Sequence, residues 1–544
     1  MKTTIQKLWI SIAMLCLSLQ VSASDFEING VQYTITSFTE LTVMASEISL
    51  NVTGDVTIPS TVTFKGKELA VVGIGRCFAY GNNKITSITI SEGVKVINDE
   101  AFRKCSNLSR VTIPESVTRI GEEAFDDCSK LEKVEALGAE TIESFAFSGC
   151  LSLKSVTIPK LRQIPIYAFA DCSNLTSYVL GDVTGIEESA FENCGIVSID
   201  IPSTVTTIRR RAFYGCSKLV SFNIPNNVKE IEEDIIGNCG SLKELTIGNG
   251  IDELPPICLN CPNLEKIRIE DSEKKLSIKD DQYYNHSKVE PSIFSGCGLK
   301  EVYIGRDLKA NEWTYKEDTR SYSHITVAPF QGLGISKVVI GPYVTSIDMM
   351  YKDEYNHCYG EQAFKDCKEL TEVIFQSSVV KEIPKEAFYG CSNLQKVKLS
   401  NSVQRIKEEA FWGCNSLSTI DLGESLEYIG PANFTDCNQL STINVHSPNP
   451  PFCNSGFSSQ SYINTIVNVP PGSLSLYQNT APWNNFWNLK EDNHLSAGID
   501  NASTTTNAEE LTRYTINGQK ISAPSKGLNI IRYNDGSVKK VVVQ

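Results

Sequence analysis

Ile97-x-x-x-Ala101-Phe102-x-x-Cys105-x-x-Leu108-x-x-Val111-x-Ile113-Pro114-x-x-Val117-x-x-Ile120 is one complete period, and the next opens on that same Ile120. The repeat is 22 to 23 residues long. Its aromatic slot recurs at Phe78, Phe102, Phe125, Phe147, Phe169, Phe191, Phe213, Phe294, Phe330, Phe364, Phe388, Phe411 and Phe434. Ile236 and Cys258 take the slot once each, which makes about fifteen turns. A unit this short cannot enclose its own apolar side chains, so stacked copies must bury a continuous core between neighbours. The 544 residues therefore grow by repetition rather than around one compact core.

Val111-x-Ile113 has the alternation of a strand with one face inward, and Pro114 ends it by removing a ladder donor. Each turn is expected to add one short strand to a parallel sheet. Ala101-Phe102-x-x-Cys105 is too short for a full helix and reads as a single helical or 3₁₀ turn that drops the ring into the core. At a sheet spacing of about 4.8 Å, fifteen turns would stack to roughly 70 Å, an elongated and curved body.

The N-terminus reads as a secretory signal peptide over residues 1–23. Lys2 and Lys7 precede the apolar run Leu8 to Leu19, and small residues follow at Val21-Ser22-Ala23. The run is too short to span a bilayer, and no other stretch approaches the roughly 18 to 20 apolar residues of a membrane helix. Cys16 lies inside it after bulky Leu15, which argues against a lipid-anchored cysteine. The formal charge of −14 becomes roughly −16 without the two leader lysines. That balance, with basic residues scattered singly, argues against a nucleic-acid partner.

The motif Ile-x-x-x-Ala-Phe-x-x-Cys-x-x-Leu-x-x-Val-x-Ile-Pro resembles the BspA-like leucine-rich-repeat family of bacterial surface proteins. The resemblance implies a leucine-rich-repeat solenoid: a β-rich right-handed superhelix with short helical or 3₁₀ turns, capped at both ends and followed by a small C-terminal β module. It also implies export to the cell surface or outer membrane and association with adhesion to host proteins or other cells. It carries no catalytic residues and no cofactor. Residues 24–72 read as an N-terminal β cap, 73–446 as the solenoid, and 447–495, with Pro450, Pro451, Trp483 and Trp487, as a C-terminal cap. Residues 496–511 read as a linker and 512–544 as a β module. The module is similar to C-terminal modules of exported proteins with this repeat, and loosely to type IX secretion sorting domains. A purely structural or spacing role is the alternative.

Thirteen of the eighteen cysteines fall in one repeat slot, from Cys105 and Cys128 to Cys414 and Cys437. They read as small inward hydrophobes, because in-register Cβ vectors run parallel rather than converging on a disulfide. Cys258-x-x-Cys261 is explained by register, one in the aromatic slot and one in the cysteine slot, and zinc would need two more ligands. Cys77, Cys358 and Cys453 lie outside the ladder, with Cys358 read as the exposed thiol.

Three consecutive units break the period, each gaining about a dozen residues within 270–360. Their insertions resemble one another: Lys279-Asp280-Asp281 then Tyr284-Asn285-His286, Lys316-Glu317-Asp318 then Tyr322-Ser323-His324, and Lys352-Asp353-Glu354 then Tyr355-Asn356-His357. Insertions at one register emerge on one face of a solenoid, often the binding face. Tyr283, Tyr284, His286, Trp313, Tyr315, Tyr322, His324, Tyr351, Tyr355 and His357 are the candidate ligand-binding residues. Rings beside amides and carboxylates suit a sugar or a peptide. The competing readings are a duplicated hairpin with solvated tips and a histidine metal ladder whose unequal motif lengths count against it. Titration of the histidines would make binding pH-dependent. No nucleophile elbow or phosphate-binding glycine loop appears, so the expected function is binding of an extracellular protein or glycan by a monomer, not catalysis. The alternative is a passive surface spacer.

Overall fold

A computed structural model describes residues 24–278, 293–294, 296–310, 329–347, 351–352, 358–359, 363–495, 510–515, 520–521, 527–533 and 538–543. The leader reading, 1–23, lies outside them. The chain divides into two compact units, Met1–Leu495 and Ser496–Gln544.

In the first unit the regular turns are built on three sides, and in most of them two sides are strands where the sequence suggested one; the turns through 175–180 and 196–201 lack the strand of the Val111 slot. The strand centred on Val111 is there: Arg110–Thr112 pairs in parallel with Ile85–Ile90, Val111 opposite Ile88. From Ser221–Ile224 onward the same slot builds a parallel sheet of eleven strands ending at Asn488–Glu491. The second strand is the two-residue segment at the Ile97 slot. Val96–Ile97, Arg119–Ile120 and Thr141–Ile142 pair in parallel register, isoleucine on isoleucine. Two residues are too few to display a period of two, so this ladder is invisible to pattern reading.

On the eleven-stranded sheet, Leu245, Ile247, Ile267 and Ile269 point inward and are buried. Outward, unlike charges alternate from strand to strand. Lys266 lies 3.5 Å from Glu244 and 4.0 Å from Glu301, and Lys337 lies 3.3 Å from Glu372. Each exposed pair contributes at most about 1 kcal/mol, but like charges directly opposite would be unfavourable, so the alternation favours the observed register.

The third side carries the Ala-Phe-x-x-Cys motif. Its local hydrogen bonds are of the 3₁₀ type: Ala101, Arg103 and Cys105 donate to the carbonyls of Asn98, Glu100 and Phe102, three residues back. The helix does not propagate, because the intervening residues turn outward. Glu100, Phe102 and Lys104 donate instead to Glu122, Ala124 and Asp126 of the next turn, at 2.7, 2.8 and 2.7 Å. This alternation uses left-handed backbone at Glu100 (φ 56°) and Lys104 (φ 60°). Phe145 (φ 58°) and Tyr167 (φ 53°) occupy the first of these left-handed positions although bulky side chains rarely do. Their rings stack at 4.7 Å, a contact that offsets part of the strain.

The aromatic slot forms a column of stacked rings. Phe102, Phe125, Phe147, Phe169, Phe191 and Phe213 follow one another at 5.1, 5.3, 5.8, 5.5 and 5.3 Å. The column stops at Ile236 and Cys258 and resumes at Phe294, whose ring lies 5.6 Å from Phe330. It extends one ring beyond the fifteen slots legible in the sequence, since Phe457 stacks on Phe434 at 5.0 Å. There Trp483 and Phe486 close over it edge-on, and the Trp483 indole N–H donates to the Pro451 carbonyl at 2.8 Å. At the other end, strands Phe26–Ile28, Val31–Ser37, Thr42–Ile48 and Lys67–Ile74 run into the isoleucine ladder as one sheet.

The ladder cysteines are inward, and they are more than small hydrophobes. Cys128, Cys150, Cys172 and Cys437 each donate a thiol hydrogen bond to the aromatic-slot carbonyl of the preceding turn, at 3.1, 3.3, 3.2 and 3.2 Å. A weak donor thus fills a second lone pair on a buried oxygen, which alanine or valine could not do. Burial pushes the Cys105, Cys216 and Cys367 thiols up to about 12, so they stay protonated and unreactive at neutral pH. Outside the ladder the structure exposes Cys77 and buries Cys453; the Cys358 side chain lies outside the described residues.

Arg103 joins two turns. It donates to Glu100 at 3.2 Å and Asp126 at 3.0 Å, and pairs with Glu123. Burial raises Glu123 and Asp126 above the ordinary carboxylate range. Burial also pushes Glu100 up, but hydrogen bonds from Arg76 and Arg103 outweigh it and hold Glu100 low. A lowered carboxylate contributes stability that is present above its unfolded pKa and is lost as pH falls through the folded one. Arg103→Met is therefore expected to cost about 1–2 kcal/mol at neutral pH, after allowance for partial exposure. The deficit should shrink as pH falls towards about 4, the ordinary carboxylate range, with the raised Glu123 and Asp126 protonating first and the lowered Glu100 last. Urea midpoints at both pH values check this, and a deficit independent of pH would contradict it.

The second unit, Ser496–Gln544, contains an antiparallel four-stranded sheet in the order Lys520–Ile521, Glu510–Thr515, Gly527–Tyr533, Val538–Val543.

Candidate binding site

Nine of the ten candidate residues, Tyr283, Tyr284, His286, Trp313, Tyr315, Tyr322, His324, Tyr355 and His357, lie outside the described residues. The tenth, Tyr351, opens a two-residue strand, Tyr351–Lys352, that pairs antiparallel with Cys358–Tyr359, Tyr351 opposite Tyr359. What the structure does define is where the inserted segments are rooted.

Leu276–Ile278 continues the isoleucine ladder from Glu253–Leu254, and Leu308–Ala310 lies parallel beside it with Ile278 opposite Ala310. The first two insertions begin directly after these paired residues. Their roots lie side by side, one turn apart.

The corners that carry the roots are stiffened by two buried charges. Arg306 is fully buried. Its guanidinium donates to the carbonyls of Gly248 (3.1 Å), Ile251 (2.8 Å) and Asn249 (3.4 Å), two turns back. The intervening corner from Ile269 to Leu276 is longer than that from Ile247 to Ile251, and Arg306 reaches past it. Elsewhere the carbonyl at the Ile251 slot is met by a side-chain hydroxyl of the next turn, as Ser116 meets Val94 and Ser402 meets Val380. Burial pulls the guanidinium down to about 10, with Asp252 acting against the fall, so it remains charged at neutral pH. Its neighbour Asp307 accepts from the backbone N–H groups of Thr345 (2.7 Å) and Ser346 (3.0 Å) and from the Thr345 hydroxyl (2.5 Å), fastening the following corner. Pattern reading missed both residues, because a charged pair at a corner ordinarily means a solvated loop. The available signal was their position, the two residues directly before Leu308, which fills the buried corner slot that Ile251 fills two turns earlier.

The adjoining sheet face also changes character in these turns. The outward row through Thr246, Arg268, Tyr303, Val339, Ile374, Lys398 and Asp421 is in register strand by strand. It is polar at both ends and apolar at Tyr303, Val339 and Ile374, all half-buried. Arg268 sits 3.9 Å from the centre of the Tyr303 ring. The Tyr303 hydroxyl donates to Asp271 at 2.7 Å, and burial together with that carboxylate pushes it up to about 12. The hydroxyl lies over Gly341, where a Cβ would meet it at 2.8 Å, so this corner is fitted to glycine. Among the described residues no group of three or more His, Cys, Asp or Glu is placed to hold a metal ion.

The sequence pattern of the BspA-type leucine-rich-repeat region matches six copies, over residues 74–197, 184–318 and 356–478. The chain belongs to the BspA-type leucine-rich-repeat family. The role common to this repeat class is protein interaction. Among solved structures it is similar to a leucine-rich-repeat protein from Bacteroides ovatus, with 25% identity and a TM-score of 0.42, covering 77% of this chain and 94% of that one. It is also similar to a leucine-rich cell-surface protein from Faecalibacterium prausnitzii, with 22% identity and a TM-score of 0.34 over 77% and 94%. The pneumococcal vaccine antigen PcpA aligns with 15% identity and a TM-score of 0.27 over 86% and 96%. A search of curated proteins finds no match. No helix among the described residues is long and apolar enough to cross a membrane.

Proposed function

We propose that this BspA-type protein is an exported, non-enzymatic surface protein that mediates adhesion to host or neighbouring-cell proteins or glycans, and that the inserted turns between 270 and 360 carry its ligand contacts. The observation that carries the reading is the paired departure of the first two insertions at Ile278 and Ala310. Segments rooted one turn apart carry similar Tyr and His motifs, and repetition at the spacing of the turns is what an extended ligand meets. The buried Arg306 and Asp307 support it, because contacts on rigid roots lose less entropy on binding than contacts on a free loop. The apolar row Tyr303, Val339, Ile374 would continue the same surface onto the sheet.

The test is binding of the purified protein to an array of extracellular-matrix proteins and polysaccharides, beside a variant shortened at 270–290, 307–325 and 348–360. A hit is expected that the shortened, still folded variant loses. Replacing Trp313, Tyr284 and Tyr322 with Ala should weaken that hit at least tenfold, about 1.4 kcal/mol, with the melting temperature unchanged. Retention of full affinity by the shortened variant would move the site elsewhere, and no hit for either protein would favour the spacer role.

A further inference from the structure

Cys258 and Cys297 stand apart from the other thiols. Cys258 takes the aromatic slot, where nearly every other turn has a phenylalanine ring, and Cys297 takes the cysteine slot of the next turn. The two sulfurs therefore meet diagonally, from different slots, rather than along parallel Cβ vectors. Cys297 Sγ lies 3.2 Å from the Cys258 carbonyl oxygen, and the two thiols are near enough to shift one another's ionisation. No ring separates them, because the column that fills this space elsewhere is interrupted here.

We propose that Cys258 and Cys297 close a disulfide when the protein meets a small-molecule disulfide oxidant, tying the turn before the first inserted segment to the turn after it. Access selects the pair. Cys297 is half-buried, whereas the other ladder cysteines that the structure describes are buried. Cys172 and Cys194, and Cys239 and Cys261, are also neighbours one turn apart, but those four are buried and stacked within one slot. Cys77 is exposed, but it lies in a separate turn at the opposite end of the repeats. The neighbouring Cys258 thiol draws Cys297 below the ordinary thiol range against the effect of burial, which favours it as the attacking thiolate.

The exchange balances in two steps. The Cys297 thiolate attacks one sulfur of the oxidant, forming a mixed disulfide and releasing one small thiol. Cys258 then attacks Cys297 Sγ, its proton passing to the second departing thiolate. Two protein thiols and one oxidant disulfide become one protein disulfide and two small thiols. The bond would span 39 positions of sequence, with the first inserted segment inside the loop. It would also bridge the stack where Ile236 and Cys258 leave the ring column open.

The test uses the full-length protein, reduced and then treated with oxidised glutathione, followed by mass mapping of a non-reduced digest. The expected result is one linked pair of peptides carrying Cys258 and Cys297, a loss of two titratable thiols, and disappearance of the link in Cys297→Ala and in Cys258→Phe. The phenylalanine restores the ring found in the other turns, so that variant keeps its stack. A folded wild-type protein that stays fully reduced, holds glutathione on Cys297 without closing the link, or links a different pair would overturn the proposal.

Discussion

Phe125→Ala is expected to lose about 3–5 kcal/mol of stability. Phe125 is fully buried, and its ring lies 5.1 Å from Phe102 and 5.3 Å from Phe147, so the deletion opens a cavity with stacked rings on both sides. Backbone bonds limit the collapse of that cavity, since Phe102 and Phe125 both donate to the next turn. A stacked-repeat protein is held together by nearest-neighbour interfaces, so the damage should also be directional. The turns on either side should begin to unfold separately, and the single denaturant transition should broaden or split. Equilibrium urea unfolding followed by fluorescence and by circular dichroism measures both effects. Tyr167→Ala is the control, because that half-exposed ring stacks on Phe145 alone among the described residues and should cost under about 1.5 kcal/mol. Equal losses in the two variants would mean that the ring column is not what couples the turns.

Arg306→Ala should cost about 3–5 kcal/mol, comparable to removal of a core ring although a charged residue is deleted. Two terms add. A fully buried side chain leaves a cavity, and the carbonyls of Gly248, Asn249 and Ile251 lose the donor that reaches them. Arg306→Met separates the terms, because methionine keeps most of the volume and removes the donors. It also removes the cost of burying a guanidinium, so its loss should be smaller, about 1–3 kcal/mol. The local readout is amide hydrogen exchange. Leu276, which donates to the Asp307 carbonyl, and Thr345, which donates to the Asp307 carboxylate, should exchange at least tenfold faster in Arg306→Ala, with protection around Phe125 unchanged. Uniform loss of protection along the stack would mean that Arg306 supports the whole solenoid rather than the roots of the insertions.

The candidate site divides along the same line as the fold. That three inserted segments share a register, and that they carry Tyr, His and Trp side chains, is readable from the spacing of Phe294, Phe330 and Phe364. That the first two leave from paired residues, over corners held by Arg306 and Asp307, is not. A buried arginine two turns from its acceptors has no local pattern to announce it.

Regular spacing alone determined the repeat, the inward ring and cysteine slots, and the strand at Val111, because each is a local pattern that only stacking can satisfy. The short Val96–Ile97 ladder, the left-handed residues that stop the Ala-Phe-x-x-Cys segment from becoming a helix, the thiol bonds to the ring-slot carbonyls and the added ring of Phe457 were decided by tertiary structure. Each depends on which atoms of the neighbouring turn come within hydrogen-bonding or stacking distance. That distance is set by the register of one turn on the next and is nowhere encoded within a single repeat.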